Sequence, residues 1–391
     1  MKFSAFLILI PAALRASAQL VVQEQQRPLL DASAQYPGFH VDLNAQRLLE
    51  FEDGSRVMMS ELEKLELKMR GERFFDVTET PNLNSFGIKK SVDFSYPALS
   101  KNETVRDVIK TLTTDGPKAN LEVFSGFKTR YYRSDSGRES QEWLLNRIKE
   151  TVSTSASDAI QSSINVQAFP HSWTQSSIIL RINGTSGTDE TVVIGAHQDS
   201  TNMLFFLPAP GADDDGSGTV TILEALRGVI SSGLRPKKNV EFHWYSGEEG
   251  GLLGSQAIAQ AYKAASANVY AMIQMDMTAW VKKGTKEVVG VVEDFVDPTL
   301  TDYVKELVEA YLDIPYVATA CGYACSDHGS WSKAGYRSSF TIESEFHDSD
   351  PNIHSTRDTI DVSPEFSFTH MLEFSKLAAA FAIELGEWEK A

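Results

Sequence analysis

The sequence predicts an α/β protein: a single globular domain whose central mixed, largely parallel β-sheet is sandwiched between helices. Strand-length apolar runs recur at residues 191–196, 239–245 and 269–275, and an amphipathic stretch at 216–231 separates the first two. Strands alternating with helices favour a parallel sheet. Each run also ends in acids or a histidine, and ligands of such sheets sit beyond the carboxyl ends of the strands.

Residues 1–18 carry the marks of a secretory signal peptide, with Lys2, an apolar core, and Ala16-Ser17-Ala18 as the small-residue cleavage pattern. The apolar run is too short, and too interrupted by Pro11, for a membrane span. Residues 19–90 differ in character from the rest and read as a pro-segment. The stretch 20–46 is rich in Gln, Pro and Ala, and 59–71 (MSELEKLELKMRG) is a charged helix expected to lie exposed. Strand signals are few, and the segment ends at Lys89-Lys90, a dibasic pair of the kind processing proteases cut. The rival reading is an N-terminal subdomain that stays attached.

Residues 91–391 form the catalytic domain. Helices are expected at 103–112, 120–124 and 140–152, with an aromatic-basic connection at 129–135 (TRYYRSD). Strands follow at 166–169 and 176–182, the latter turning at Asn183-Gly184. The run TVVIGA delivers His197 and Asp199. Residues 216–231 place Val220, Leu223, Leu226 and Ile230 on one helical face, and NVEFHWY alternates Val240, Phe242 and Trp244 before Glu248 and Glu249. The run VYAMIQM delivers Asp276. A strand at 287–292, a helix at 298–312 opening on proline, and a strand at 338–342 come next. His354 lies in a polar, turn-rich loop, and a final helix runs from Ser363-Pro364 to about Leu385.

The 391 residues carry 36 basic and 53 acidic side chains, a formal net charge of −17. That balance argues against nucleic acid and anionic membranes as partners. Secretion makes Asn102 and Asn183, each in an Asn-X-Thr sequon, glycan acceptors. The only two cysteines, Cys321 and Cys325, suit one small disulfide in an oxidising compartment. Thiolate metal ligation is the weaker alternative, since no second pair completes such a site.

His197, Asp214, Glu249, Asp276 and His354 stand out as metal ligands. Two histidines and three carboxylates exceed what one catalytic zinc takes. They suit two metals sharing a bridging carboxylate, with Glu248 free to act on a metal-bound water, a combination that hydrolyses amides. Taken alone, a Glu-Glu pair is usually a solvated surface, Asp-Asp-Asp-Gly is usually a turn or cap, and a loop histidine is usually exposed. Their convergence at strand ends favours the metal reading. His171, His243, His328, His347 and His370 lack such company and read as structural. The sequence contains no HExxH, GxSxG or GxGxxG motif.

The segments HQDS, PGADDDGSG, GEEGGLLGS, QMDM, CGYACSDHGSW and PNIHSTRDT occur in an order that resembles the M28 metallopeptidases, most closely the secreted leucine aminopeptidases of fungi and their two-zinc bacterial relatives. The resemblance runs from about Ser91 to the C-terminus. It implies that Asp214 bridges two Zn2+ ions, with His197 and Asp276 on one and Glu249 and His354 on the other. It further implies Glu248 as general base, Asp199 as the carboxylate orienting His197, a cis Asp214–Asp215 peptide, and a Cys321–Cys325 disulfide beside an apolar pocket. Met277, Tyr323, Phe340, Ile342, Phe346 and Ile353 are the candidates for that pocket.

The resulting expectation is a secreted, monomeric zinc aminopeptidase acting on peptides with a free N-terminus, preferring leucine and other large apolar residues. Another enzyme of the same fold, a carboxypeptidase or glutaminyl cyclase, is the alternative. A carboxypeptidase needs a basic residue aimed at the substrate carboxylate, and the sequence identifies none. A non-enzymatic binding protein on this fold would be expected to have lost ligands, whereas all five and Glu248 are present.

Overall fold

The computed structural model describes residues 30–31, 34–83 and 94–390. The signal peptide expected at 1–18 and the dibasic pair Lys89-Lys90 lie outside the described residues. In chain order the strands are β1 (Gln46–Glu50), β2 (Arg56–Ser60), β3 (Phe75–Asp76), β4 (Ile164–Phe169), β5 (Ser177–Ile182), β6 (Thr191–His197), β7 (Leu234–Arg235), β8 (Asn239–Tyr245), β9 (Val269–Met275), β10 (Val289–Val292), β11 (Tyr316–Thr319), β12 (Ser338–Ile342) and β13 (Glu389–Lys390).

Eight of these form the central sheet, in the order β11-β10-β12-β9-β6-β8-β5-β4. β6 lies between β8 and β9 and runs parallel to both; β12 is parallel to β9, and β11 to β10. β4, β5 and the β10–β12 pair are antiparallel. The sheet is therefore mixed and largely parallel, as expected. β6 and β8 are both buried throughout: β6 as the near-continuous apolar run a two-sided parallel sheet requires, β8 with alternating apolar residues and a buried Glu241 that pairs with Arg181 and His243.

Side chains alternate between the two faces. Val192, Ile194 and Ala196 of β6 join one core with Phe242 and Trp244 of β8, beneath the helices Asp135–Ser155, Gly218–Ser231, Pro298–Tyr311 and Phe368–Gly386. Val193 points the other way, into a smaller core with Ile258 and Trp331 from the helices Leu253–Ala264 and His328–Ala334. The closing helix is buried along nearly all its length, in keeping with apolar residues on every side. It begins after Ser367, whose hydroxyl accepts from the His370 amide, rather than at Ser363-Pro364.

The N-terminal segment departs from its sequence reading in two ways. It contains a three-stranded antiparallel sheet, β2-β1-β3, where strand signals are few. The helix Glu61–Met69, capped reciprocally by Ser60 and Glu63, is not exposed: Glu61, Lys64, Leu65 and Leu67 are buried. Its charges face acids and main-chain oxygens brought from elsewhere in the fold, so its polarity does not imply solvation.

Candidate metal centre

The three central strands end side by side and deliver their polar residues to one place. β6 ends at His197, β9 is followed by Asp276, and β8 leads through Gly247 (φ 73°) into the turn Glu248–Gly250. Gly247 sits in the left-handed region, where a side chain would be strained, and this sharp reversal turns the two glutamates back over the sheet. Asp214 comes from the wide turn Ala212–Ser217, which contains a cis Asp214–Asp215 peptide, and His354 comes from the loop after β12.

All five expected ligands converge. His197 Nε2 lies 3.1 Å from Asp214 Oδ1 and 3.4 Å from Asp276 Oδ1. His354 Nε2 lies 3.0 Å from Asp214 Oδ2 and 3.1 Å from Glu249 Oε2. The two oxygens of Asp214 thus face two different histidines, the disposition of a shared carboxylate. Asp215 also brings an oxygen near His197 and Asp276. Its oxygens, however, accept from the amides of His197 (3.0 Å), Gly218 (2.8 Å) and Met277 (3.1 Å), so they are already engaged.

That engagement recurs. Asp358, four residues beyond His354, accepts from the amides of Asp213 (2.8 Å) and Asp214 (3.1 Å). Asp199 accepts from those of Glu248 (3.1 Å) and Glu249 (3.2 Å). The imidazole Nδ1 of His197 sits 3.1 Å from the Asp199 carbonyl and 3.6 Å from its carboxylate. The Asp199 side chain therefore grips the glutamate turn more closely than it does the ring it was expected to orient. Arg130, fully buried, donates to the carbonyls of Gln198 (2.8 Å), Pro210 and Gly211 (2.7 Å), bracing the loop between β6 and Asp214. Asp215 and Asp358 lie within the motif segments PGADDDGSG and PNIHSTRDT without an expected role there, and Arg130 lies outside every motif segment; an acid or guanidinium paired with main-chain groups leaves no pattern of spacing that reveals its role.

The donor set fits divalent cations. Burial opposes a charged imidazole at His354, yet Glu249 and Asp214 raise it to about 10; His197 is likewise raised well above its usual range. A cage of acids that holds both histidines positive is one that favours added positive charge. Glu249 Oε1 is buried without a hydrogen-bond partner, an acceptor directed at a ligand rather than at protein. Hard carboxylate oxygens with imidazole nitrogens suit zinc and similar ions. Burial, opposed by His197 and reinforced by the Glu249 charge, pushes the Glu248 carboxyl well above the ordinary range.

A cavity of about 420 Å³ opens from these residues. Met277, Tyr323, Phe340, Ile342, Phe346 and Ile353 all line it and form one apolar cluster with Val292, Val296 and the Cys321–Cys325 disulfide, whose sulfurs are 2.01 Å apart. The opposite wall is unforeseen: it is built by the N-terminal segment, from Phe51, Arg73, Phe74 and Lys68. The Lys68 ammonium lies 2.7 Å from Glu249 Oε2, and the Arg73 guanidinium stands 4.0 Å above the Tyr323 ring. Asn102 and Asn183 are exposed, away from this cavity. The remaining histidines stay outside it: His243 pairs with Glu241 (2.8 Å), His171 with Ser177 (2.7 Å), and His370 with the Glu343 carbonyl (2.9 Å). His347 is exposed, and His328 is buried against Phe340 with neither ring nitrogen hydrogen-bonded.

Residues 177–378 match the profile of peptidase family M28. Leucine aminopeptidase 1 of Pyrenophora teres f. teres is 46% identical, with 98% of each chain covered. Leucine aminopeptidase 1 of Metarhizium robertsii is 48% identical over 87% of each. Among solved structures, the LapA aminopeptidase of Legionella pneumophila superposes with a TM-score of 0.77 at 26% identity, covering 87% of this chain and 98% of that one. A glutaminyl cyclase of Bacteroides thetaiotaomicron shares the fold, with a TM-score of 0.54 at 13% identity, covering 69% of this chain and 97% of its own.

Proposed function

The chain belongs to peptidase family M28, and on that premise we propose that it is a secreted zinc aminopeptidase removing leucine and other large apolar residues from peptide N-termini. The observation that carries this reading is the continuity of the ligand cage with one apolar pocket in a single cavity. A substrate side chain enters the pocket, which sets its first peptide bond against Glu248. The apolar and aromatic walls favour leucine over charged residues, because a charge buried there would lack a partner. The names of the fungal relatives support the same preference.

His197, Asp214 and Asp276 would hold one ion, and Asp214, Glu249 and His354 the other. Two bound zinc ions supply Lewis acidity, polarising the scissile carbonyl and making water a nucleophile at neutral pH. Glu248 then moves the proton: its carboxylate takes it from the attacking water and gives it to the departing amine. Its backbone holds it in place, the amide donating to Asp199 and the carbonyl accepting from the amides of Gly251 and Leu252. Asp199 keeps the Glu248–Glu249 turn in place, so the base and a metal ligand move as one unit.

Residues 19–90 act as a pro-segment that caps the cavity, following a signal peptide at 1–18. Lys68 and Arg73 in the cavity wall support this. Asn102 and Asn183, both exposed, are the glycan acceptors. The test of the activity is hydrolysis of leucine p-nitroanilide against its N-acetylated form by the processed protein. Cleavage of the free amine alone is expected. Equal cleavage of both would show an amidase without exopeptidase character, and cleavage of neither would point to a cyclase or binding role. Faster hydrolysis after removal of residues 19–90 is expected, and equal rates would refute the cap.

A further inference from the structure

Among the described residues, Lys68 differs from the other ion-paired cations of its segment in what it neutralises. Lys64, one helical turn earlier, is buried and meets acids of its own segment, Glu61 at 2.9 Å and Asp76 at 3.1 Å. Lys68 meets none of these. Among the described residues its one acidic partner is Glu249, with the ammonium 2.7 Å from Oε2 and also 2.7 Å from the Glu249 carbonyl. Two hydrogen bonds to one residue fix the ammonium in place rather than leaving it to swing in solvent, and its side chain is only 20% exposed.

The two halves of the cage are unlike in this respect. Asp276 is supported by the hydroxyl of Ser326, a neutral donor. Glu249 is supported by a full positive charge that belongs to the removable part of the chain. A neutral donor orients a ligating carboxylate and leaves its charge for the metal. A cation cancels that charge and repels an incoming divalent ion across a few ångströms of weakly screened protein. Because Glu249 Oε1 stays without a partner, the ammonium does not occupy every acceptor of the ligand, and the ion is opposed rather than excluded.

We propose that Lys68 weakens the Asp214–Glu249–His354 site for its metal ion while the N-terminal segment is attached, so that the second site of the centre fills fully only when that segment leaves. This rests on the two-metal reading above and adds a control of metal loading, separate from covering the cavity. The Asp214–His197–Asp276 site, with its neutral support, binds its ion regardless of the segment.

The test uses the full-length chain, stripped of metal and titrated with Zn2+ against a chromophoric chelator, for wild type, K68Q and K68M. K68Q retains a hydrogen-bonding side chain and removes only the charge; K68M is the second variant should K68Q fold poorly. The expected result is two binding phases in wild type, with the weaker one tightened on the order of ten- to a hundredfold in either variant and the stronger one unchanged. K68R, which keeps the charge, should resemble wild type. Two phases of the same affinities in wild type and both neutral variants would overturn the role of Lys68 alone, as would weaker binding in the variants. Uptake of fewer than two ions by every protein would overturn the two-metal reading and this inference with it.

Discussion

On the N-terminal wall of the cavity, buried charges meet side chain to side chain: Arg47 reaches Asp76 at 2.7 Å, Lys64 reaches Glu61 and Asp76, and Lys333 crosses from the catalytic domain to Glu50. On the strand-end wall, the acids behind the ligand cage meet main-chain amides instead: Asp199 the glutamate turn, Asp215 the amides of His197 and Met277, Asp358 those of Asp213 and Asp214. An ion pair between long side chains neutralises charge and can be undone as a unit. A carboxylate bonded to consecutive amides fixes the backbone that carries a ligand. The first arrangement is consistent with the proposed pro-segment, the second with a centre that has to hold its geometry.

The sharpest way to break this contrast is on the amide side. Asp358→Ala leaves the Asp213 and Asp214 amides buried without acceptors, at a cost of roughly 1–3 kcal/mol each. Because it releases the backbone of the shared carboxylate, metal affinity should fall by about ten- to a hundredfold. Calorimetric metal titration checks this, and unchanged affinity would mean that the amide grip is incidental. On the ion-pair side, Lys64→Met leaves Glu61 and Asp76 to share Arg47 as their remaining cation, which should cost less than the about 3–5 kcal/mol of a buried pair broken outright. The loss should fall on docking of the segment, so the unprocessed chain should gain activity while the processed enzyme stays the same. A loss of activity in the processed enzyme would contradict the division between the walls.

An effect confined to acid pH concerns a buried histidine tied to neither system. Burial depresses the His328 imidazole from its ordinary 6.5 to about 3. A folded-state pKa below the unfolded one means that stability is intact above pH 6.5 and is lost as pH falls from there toward 3. The slope approaches ~1.4 kcal/mol per pH unit. His328→Leu should therefore resist acid unfolding, with its stability relative to wild type rising as pH falls below 6, which a pH series of thermal melts would reveal. Parallel acid profiles for the variant and wild type would sink it.

The catalytic half was largely legible because its central strands are buried and carry runs or alternations of apolar residues, and because β6, β8 and β9 each lead directly into a candidate site residue. The helix Leu253–Ala264 and the four-residue edge strand β11 were not read from the sequence. The N-terminal sheet was not legible. Its strands carry Arg47, Glu50 and Arg56, which read as solvated until Asp76 and Lys333 arrive from 29 and 283 residues away. The same holds for Lys68, whose partner Glu249 lies 181 residues on. Charge patterns describe a segment by itself, and here the charges are satisfied by the rest of the fold.

The account turns on Glu248 as the acid that moves protons while its neighbours hold metal. The direct test is Glu248→Gln in the processed protein, with zinc content and turnover of leucine p-nitroanilide measured on one sample. The predicted result is two zinc ions per chain with turnover reduced by roughly 10²–10⁴-fold, the range for loss of a general base. Turnover near wild type with both ions bound would contradict the role of Glu248, and loss of an ion would show that it is a ligand instead.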